Sequence, residues 1–154
     1  MKRWVAASAL VLALDRLSKC WAQEVLSARA SLPLWPGVVG FTYARNTGMA
    51  FSLGHQAGWL VPALPGAMVL AVLVIFFRAK GYSSLTRGAL LLVAAGGLGN
   101  LADRLMYGYV VDFIELQFMR FAIFNLADVA ICLGAALAAL GLLKKGGGRV
   151  GMDG

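Results

Sequence analysis

The chain has 154 residues, of which 60% are hydrophobic and 14% are charged, and its formal net charge is +7. A soluble domain typically has roughly 45–50% apolar and about 25% charged residues, so this composition excludes an ordinary soluble domain and indicates a membrane protein. The positive charge does not indicate nucleic-acid binding, because the basic residues flank the apolar segments, where membrane topology accounts for them.

The first element looks like an export signal. It reads MKRWVAASALVLALDRLSKC, in which two cations precede an apolar run that ends near Cys20, as in the signal peptide of a bacterial lipoprotein. However, Lys19 stands where such signals carry a small residue, and Asp15 with Arg16 interrupts the apolar run. We therefore predict a retained transmembrane helix over residues 4–26.

The second element is predicted to be short, extended and β-like, resting on the outer membrane surface over residues 31–57. Pro33 and Pro36 punctuate this segment, and Val38–Tyr43 favours a strand. A charge-free run follows and predicts a second span over residues 58–78, since about 20 apolar residues cross a bilayer.

Two further spans are predicted over residues 86–105 and 121–143. The first contains GGLGNLADRL, whose glycines allow helices to approach closely. Between the two spans, residues 106–120 mix aromatic residues with acids and are predicted to form an amphipathic loop at the outer interface. The Gly-rich end, residues 144–154, is predicted to be a disordered cytoplasmic tail.

These elements predict a single domain over residues 1–143, an all-α membrane protein with four transmembrane helices. A small β element and an amphipathic loop would lie on its outer face. The positive-inside rule orients both termini toward the cytoplasm, because basic residues cluster at one set of span ends. These residues are Lys2, Arg3, Arg78, Lys80, Arg87, Lys144, Lys145 and Arg149.

Ionisable groups in membrane helices cost about 2.5–3.5 kcal/mol each on insertion scales, so each one requires a partner or a function. Asp15 and Lys19 stand four residues apart, which favours an ion pair; contact with a substrate or with another helix is the alternative. Asn100, Asp103 and Arg104 share one face of the third helix. They are interpreted as a polar clamp or as part of a site, with Arg104 holding Asp103 ionised.

Asp112 and Asp128 lack such a partner, because neither has a cation at helical spacing. Both are predicted to lie near the outer surface, where three readings are open. They could form an acid–base pair acting on water, take part in proton or ion translocation, or be buried for structural reasons. Sequence spacing alone does not show that the two carboxylates meet.

Five stretches, DRLSK, NTGMAFS, GGLGNLADR, VVDF and FNLAD, occur in this order. In them the chain resembles the bacterial lipoprotein signal peptidase family, also called signal peptidase II or prolipoprotein signal peptidase, from about residue 4 to residue 143. Met49 stands where the family usually has alanine, a difference expected to bear on the pocket wall rather than on a proposed catalytic residue.

The resemblance implies roles for nine residues. Asp112 and Asp128 would be the catalytic aspartates, under a loop that closes over the substrate. A second group would line the site and hold the substrate: Asn46, Asn100, Arg104 and Asn125. A third group would support the fold nearby: Asp15, Lys19 and Asp103.

The implied reaction is intramembrane aspartic hydrolysis of the peptide bond before the diacylglyceryl-modified cysteine of a prolipoprotein. It would occur in the bacterial inner membrane, near the outer face. The expected partners are prolipoproteins and membrane lipid, the expected state is a monomer, and no cofactor or metal is expected, since Cys20 and Cys132 lack metal-ligand spacing.

Two rival functions remain: a small proton- or ion-translocating membrane protein, and a non-catalytic assembly subunit. A proton relay would place ionisable groups through the full membrane depth. The inner halves of the predicted helices are almost purely apolar, which argues against such a relay. An assembly subunit would not require Asp112 or Asp128.

Overall fold

The computed structural model describes residues 1–29, 31–48, 60–119 and 121–147. Met49, most of the segment before the second helix and the last residues of the tail lie outside this range. The helices are α1 (Lys2–Trp21), α2 (Leu60–Arg78), α3 (Ser84–Tyr107) and α4 (Leu126–Gly147). The strands are β1 (Leu32–Trp35), β2 (Val39–Asn46) and β3 (Val110–Leu116).

Three of the helical segments are long and apolar enough to cross a membrane: Pro62–Gly81, Ser84–Tyr107 and Leu126–Lys144. These segments confirm the membrane character predicted from composition. Helix α1 is not among them, and it carries charged residues in its second half. A π-helical turn, Ala22–Leu26, continues α1, so the helical path ends where the predicted first span ends.

Small residues set the distance between α3 and α4. A Cβ atom on Gly96 would lie 2.4 Å from the carbonyl oxygen of Ala127, and one on Gly134 would lie 2.8 Å from the carbonyl oxygen of Ala89. Both distances are below van der Waals contact, so only glycine permits this approach, as is common between membrane helices. The close packing places the end of α3 against the start of α4.

The strands form an antiparallel sheet in the order β1-β2-β3. One face packs on the π-helical turn through a cluster of Ala22, Leu26, Val111 and Phe113. The Trp21 ring meets the Phe41 ring edge to face at 5.3 Å between centroids. These contacts fix the sheet to the end of α1, beside the helix bundle.

The structure corrects the predicted outer loop over residues 106–120, because residues 110–116 form strand β3. Four consecutive residues at its start, Val110 to Phe113, are buried. A strand covered on both faces shows no alternation of apolar and polar residues, and the sequence therefore lacked the usual strand signal. Gly108, with φ of +78°, ends α3 and turns the chain toward the sheet.

The start of the last helix also differs from the prediction. Helix α4 begins at Leu126, whereas the sequence predicted a span from residue 121. Residue Phe124 pairs with β3 instead, exchanging backbone hydrogen bonds with Ile114 at 2.8 and 3.1 Å. Asn125 then lies between the sheet and the helix.

Candidate active site

Asp112 and Asp128 are brought together through one side chain, that of Asn125. The Asn125 amide nitrogen donates to Asp112 Oδ1 at 2.7 Å. Its amide oxygen accepts from the backbone N–H of Asp128 at 3.0 Å, and its backbone N–H donates to Asp128 Oδ2 at 3.2 Å. Asn125 is fully buried, so it couples the positions of the two carboxyl groups.

The contacts between Asn125 and Asp128 also form the N-terminus of α4. Asn125 occupies the N-cap and Asp128 the third helical position, and each satisfies the backbone N–H of the other, as in a capping box. A third donor at this end, the N–H of Ala127, donates to Asp15 Oδ1 at 2.9 Å. The helix therefore starts with its free N–H groups directed at side chains of the site.

Strand pairing places Asp112 beside Asn46. In the register of β2 with β3, Ala44 lies opposite Asp112 and Asn46 opposite Val110, after an irregularity between Phe41 and Ala44. Asn46 and Asp112 thus share one face, and the Asn46 amide donates to Asp112 Oδ2 at 2.9 Å. Irregularities of this kind in strand pairing commonly change the direction of side chains next to active sites.

A fully buried lysine lies beneath the pair. Lys19 Nζ is 2.9 Å from Asp15 Oδ2 and 3.1 Å from Asp103 Oδ2, and it donates to Asn100 Oδ1 at 2.9 Å. The predicted Asp15–Lys19 ion pair is confirmed. A buried charge requires such compensation, and three acceptors supply it here.

Asn100 connects this lysine to the upper carboxylates. Its oxygen accepts from Lys19 and, at 3.1 Å, from Asn125, while its amide nitrogen donates to Asp128 Oδ1 at 2.7 Å. Because both ends of the amide are engaged, its orientation is determined. Each Asp128 oxygen accordingly accepts a hydrogen bond.

Asp103 connects the helices to the sheet. Its Oδ2 accepts from the backbone N–H of Val111 at 3.2 Å, next to Asp112. Its Oδ1 lies 3.3 Å from Arg16 Nη1. The expected electrostatic interaction of Arg104 with Asp103 is present, but the short ion pairs of Asp103 are with Arg16 and Lys19.

Arg104 points its charge toward the two carboxylates. It is half-buried and donates to the carbonyl oxygen of Asn100 at 3.2 Å. Its guanidinium interacts electrostatically with Asp112 and Asp128. Arg104 is therefore, with Lys19, a cation near this acidic pair that spacing within a single helix does not reveal.

The surroundings of Asp112 favour its protonated form. Burial raises its pKa to about 6, and the charge of Asp128 acts in the same direction. Hydrogen bonds from Asn46 and Asn125 and the charge of Lys19 act in the opposite direction. A carboxyl group with this pKa can exchange protons near neutral pH, as acid–base chemistry requires.

All nine residues to which the resemblance gives a role lie in one connected network. It contains Asp15, Lys19, Asn46, Asn100, Asp103, Arg104, Asp112, Asn125 and Asp128. Sequence reasoning assigned no role to Arg16, which joins the network through Asp103. The available signal was its spacing of three residues from Lys19, which places both cations on one side of α1.

Residues 7–144 match the family model described as signal peptidase (SPase) II. Curated relatives include the lipoprotein signal peptidases of Streptococcus pyogenes serotype M2, 36% identical, and serotype M6, 35% identical. In both cases the match covers 92% of this chain and 93% of the relative.

Two solved structures, both described as bacterial membrane enzymes, are also similar at 28% identity. The first has a TM-score of 0.81 and the match covers 94% of this chain and 89% of that chain. The second has a TM-score of 0.83, with 94% of each chain covered.

Proposed function

Since the chain belongs to the signal peptidase II family, we propose that it removes signal peptides from prolipoproteins by aspartic hydrolysis, with Asp112 and Asp128 as the catalytic residues. Membership of this family implies a protease, and the apolar helices indicate a bacterial membrane protein. The proposed bond is the one before the diacylglyceryl-modified cysteine. The name of the curated relatives supports this substrate class.

One observation carries the proposed mechanism: the Asn125 amide contacts both aspartates, 2.7 Å from Asp112 Oδ1 and 3.0 Å from the Asp128 backbone nitrogen. A structural ion pair would join opposite charges, whereas this arrangement holds two acids in one orientation. Two neighbouring carboxyl groups divide the roles of acid and base, because they do not ionise together readily.

Within this pair, Asp112 is proposed to be the acid and Asp128 the base. The raised pKa of Asp112, about 6, supports a protonated Asp112 that polarises the scissile carbonyl. Asp128 would take a proton from the attacking water as the oxygen bonds to the carbonyl carbon. The Asp112 proton then passes to the leaving amine as the C–N bond breaks.

For the asparagines we propose narrower roles than the resemblance implies. Asn100 and Asn125 use both ends of their amides on the network, so they are proposed to orient the carboxylates rather than bind the substrate backbone. Asn46 is exposed at the end of β2 and Arg104 faces the pair, so these two are the proposed contacts for substrate or its lipid. No metal enters this scheme.

The position of the pair suits a lipidated substrate. Basic residues lie at the start of α1 and α3 and the end of α2 and α4, which is one end of an antiparallel bundle, whereas Asp112 and Asp128 lie at the other end. We propose that the protein lies in the bacterial inner membrane with four transmembrane helices and with both termini in the cytoplasm. We propose that it acts as a monomer. The aspartates would then lie at the depth of the diacylglyceryl group, near the outer surface.

The direct test is cleavage of a lipidated precursor peptide by purified protein in detergent. Asp112→Asn and Asp128→Asn are each expected to lower kcat at least about 10³-fold, the scale seen when an acid, a base or a transition-state donor is lost. Glu115→Gln is the matched control, because Glu115 is a carboxylate of the same strand that bonds Thr42 instead. Near-full activity of either aspartate variant would refute the catalytic pair.

A precursor without the diacylglyceryl group tests the substrate class in the same assay. We expect no processing of this form, since its cysteine is not anchored at the depth of the aspartates. Equal cleavage of both forms would refute the assigned specificity while leaving the catalytic pair intact.

A further inference from the structure

At the edge of the candidate site, two arginines and two tyrosines form a continuous stack that we call the aromatic stack: Arg16, Tyr107, Tyr109 and Arg45. The Arg16 guanidinium lies 5.4 Å from the centre of the Tyr107 ring and also hydrogen-bonds the Tyr107 hydroxyl. The rings of Tyr107 and Tyr109 stack at 5.8 Å. Arg45 lies 5.2 Å from the centre of the Tyr109 ring.

The aromatic stack links α1 to the last residues of β2. Arg16 belongs to α1, the tyrosines flank the turn from α3 to β3, and Arg45 pairs with Val111 across the sheet. Arg45 is held from within its own strand as well, because its Nε donates to the Tyr43 hydroxyl at 3.2 Å. The aromatic stack therefore lies at the end of the β2–β3 pairing where Asn46 is opposite Val110.

That end of the ladder carries Asn46. Asn46 is the final residue of β2 and is exposed, and it reaches Asp112 through a single 2.9 Å hydrogen bond. Strand ends open more readily than strand centres. Within the described chain, the Asn46 amide oxygen is held only locally, by the backbone N–H of Gly48 at 3.0 Å, so the neighbouring residue Arg45 supplies the contact that joins this strand end to the aromatic stack.

We propose that Arg45 is a positioning residue for hydrolysis: by anchoring β2 to the aromatic stack, it holds the Asn46 amide against Asp112. This inference rests on the proposed function, in which Asp112 is catalytic. The guanidinium of Arg45 covers ring faces at the surface and contributes little to the core. Substitution of Arg45 is therefore expected to change catalysis more than folding.

The expected signature follows from the chemistry of the amide. A hydrogen bond donated to a carboxylate stabilises its ionised form, so displacement of Asn46 raises the pKa of Asp112. The charged groups of the described chain that act on Asp112 are Asp128 on α4, Lys19 on α1 and Arg104 on α3. None of them contacts Arg45, so substitution of Arg45 leaves them in place.

A double-mutant cycle tests the proposal. Arg45→Ala is expected to lower kcat about two- to fivefold, the scale of an exposed cation–π contact, and to move the limb of the pH profile assigned to Asp112 to higher pH. Arg45→Lys, which keeps a cation over the ring, should recover part of the loss. In the Asn46→Ala background, Arg45→Ala should have no further effect, because the group it positions is absent.

Arg87→Ala supplies the matched control. Arg87 also covers an aromatic ring, that of Phe76 at 5.1 Å, but at the other end of α3. This variant should leave kcat and the pH profile unchanged. Equal effects of Arg45→Ala with and without Asn46 would overturn the proposal, as would an unchanged pH profile in the single variant.

The proposed function and the positioning role of Arg45 are refuted by different results. Cleavage by Asp112→Asn would refute the catalytic pair. Inactive aspartate variants together with additive effects of Arg45 and Asn46 would refute only the positioning role.

Discussion

At Asp112, burial and the charge of Asp128 raise the pKa, while the amides of Asn46 and Asn125 lower it. The result, about 6, leaves the group able to hold a proton in mildly acidic solution and to lose it near neutrality. The balance is made by two neutral donors rather than by a direct ion pair. Substitution of either Asn46 or Asn125 should therefore shift the pKa of Asp112.

We expect kcat/KM to fall as the pH rises through an apparent pKa of about 6, because deprotonation of Asp112 removes the proposed acid. Asn46→Ala should move this limb of the pH profile to higher pH, since a donor that stabilises the carboxylate is lost. Initial rates on the lipidated peptide across the pH range measure both effects.

The control for this profile is Thr42→Val, which removes the hydroxyl that bonds Glu115 Oε2 at 2.6 Å. It takes a donor from a different carboxylate in the same sheet and should leave the limb in place. A limb that moves to lower pH in Asn46→Ala would contradict the assignment to Asp112.

Individual ion pairs were predictable where they are local. Asp15 and Lys19 face each other one turn apart, and the structure has this pair at 2.9 Å. Asp103 and Arg104 are adjacent, and adjacent residues on a helix point in different directions. Asp103 therefore pairs across helices with Arg16 and Lys19, which spacing within one helix does not reveal.

At the level of elements, the contact between α3 and α4 determines where the two acids lie. The backbone of Ala127 approaches Gly96, and Ala127 directly precedes Asp128. Any side chain at residue 96 must push the first turn of α4 away from α3. The hydrogen bond from Asn100 to Asp128, at 2.7 Å, crosses the same contact.

We expect Gly96→Ala to destabilise the protein by about 1–3 kcal/mol, the range for overpacking, and to lower kcat with it. Thermal unfolding in detergent, followed by helical circular dichroism, measures the first effect. Gly66→Ala is the control, because its Cβ atom would lie 3.8 Å from the Leu101 side chain, an ordinary contact. Equal melting temperatures for Gly96→Ala and the native protein would show that the helices separate freely.

Element boundaries were predictable only in part. The sequence NLAD contains the capping pair that begins α4 at Leu126, but the apolar residues before it extended the predicted span to residue 121. Strand β3 is buried on both faces, so its pattern resembled a general apolar segment. The pairing of β2 with β3 depends on a local irregularity, and hydrophobic periodicity does not encode such an irregularity.

For the whole molecule, the candidate site occupies the end of the bundle opposite the basic residues at the start of α1 and α3 and at the end of α2 and α4. Composition and hydropathy predicted the three helices that are long and apolar enough to cross a membrane. They describe α1 less well, because hydropathy counts Asp15 and Lys19 as two separate charges. In the folded protein Asp15 and Lys19 pair with each other. Asp15 also accepts a hydrogen bond from α4, and Lys19 contacts Asn100 and Asp103 of α3.

The proposed orientation predicts which surfaces face the cell exterior. In a variant with Cys20→Ala and Cys132→Ala, a membrane-impermeant maleimide should label Gln117→Cys, beyond β3, in intact cells. Ser84→Cys, at the start of α3, should be labelled only after permeabilisation. The reverse pattern would invert the topology and move the aspartates to the cytoplasmic side.

The reciprocal hydrogen bonds between Asn125 and Asp128 make one pair of residues responsible both for starting a helix and for orienting the proposed catalytic base. Few substitutions can satisfy the two demands together, because a side chain that cannot make these hydrogen bonds also loosens the first turn of α4. A compound that binds this pair should consequently select few viable resistant variants. We expect resistance to arise instead at exposed positions of the sheet, where sequence can change without loss of the cap.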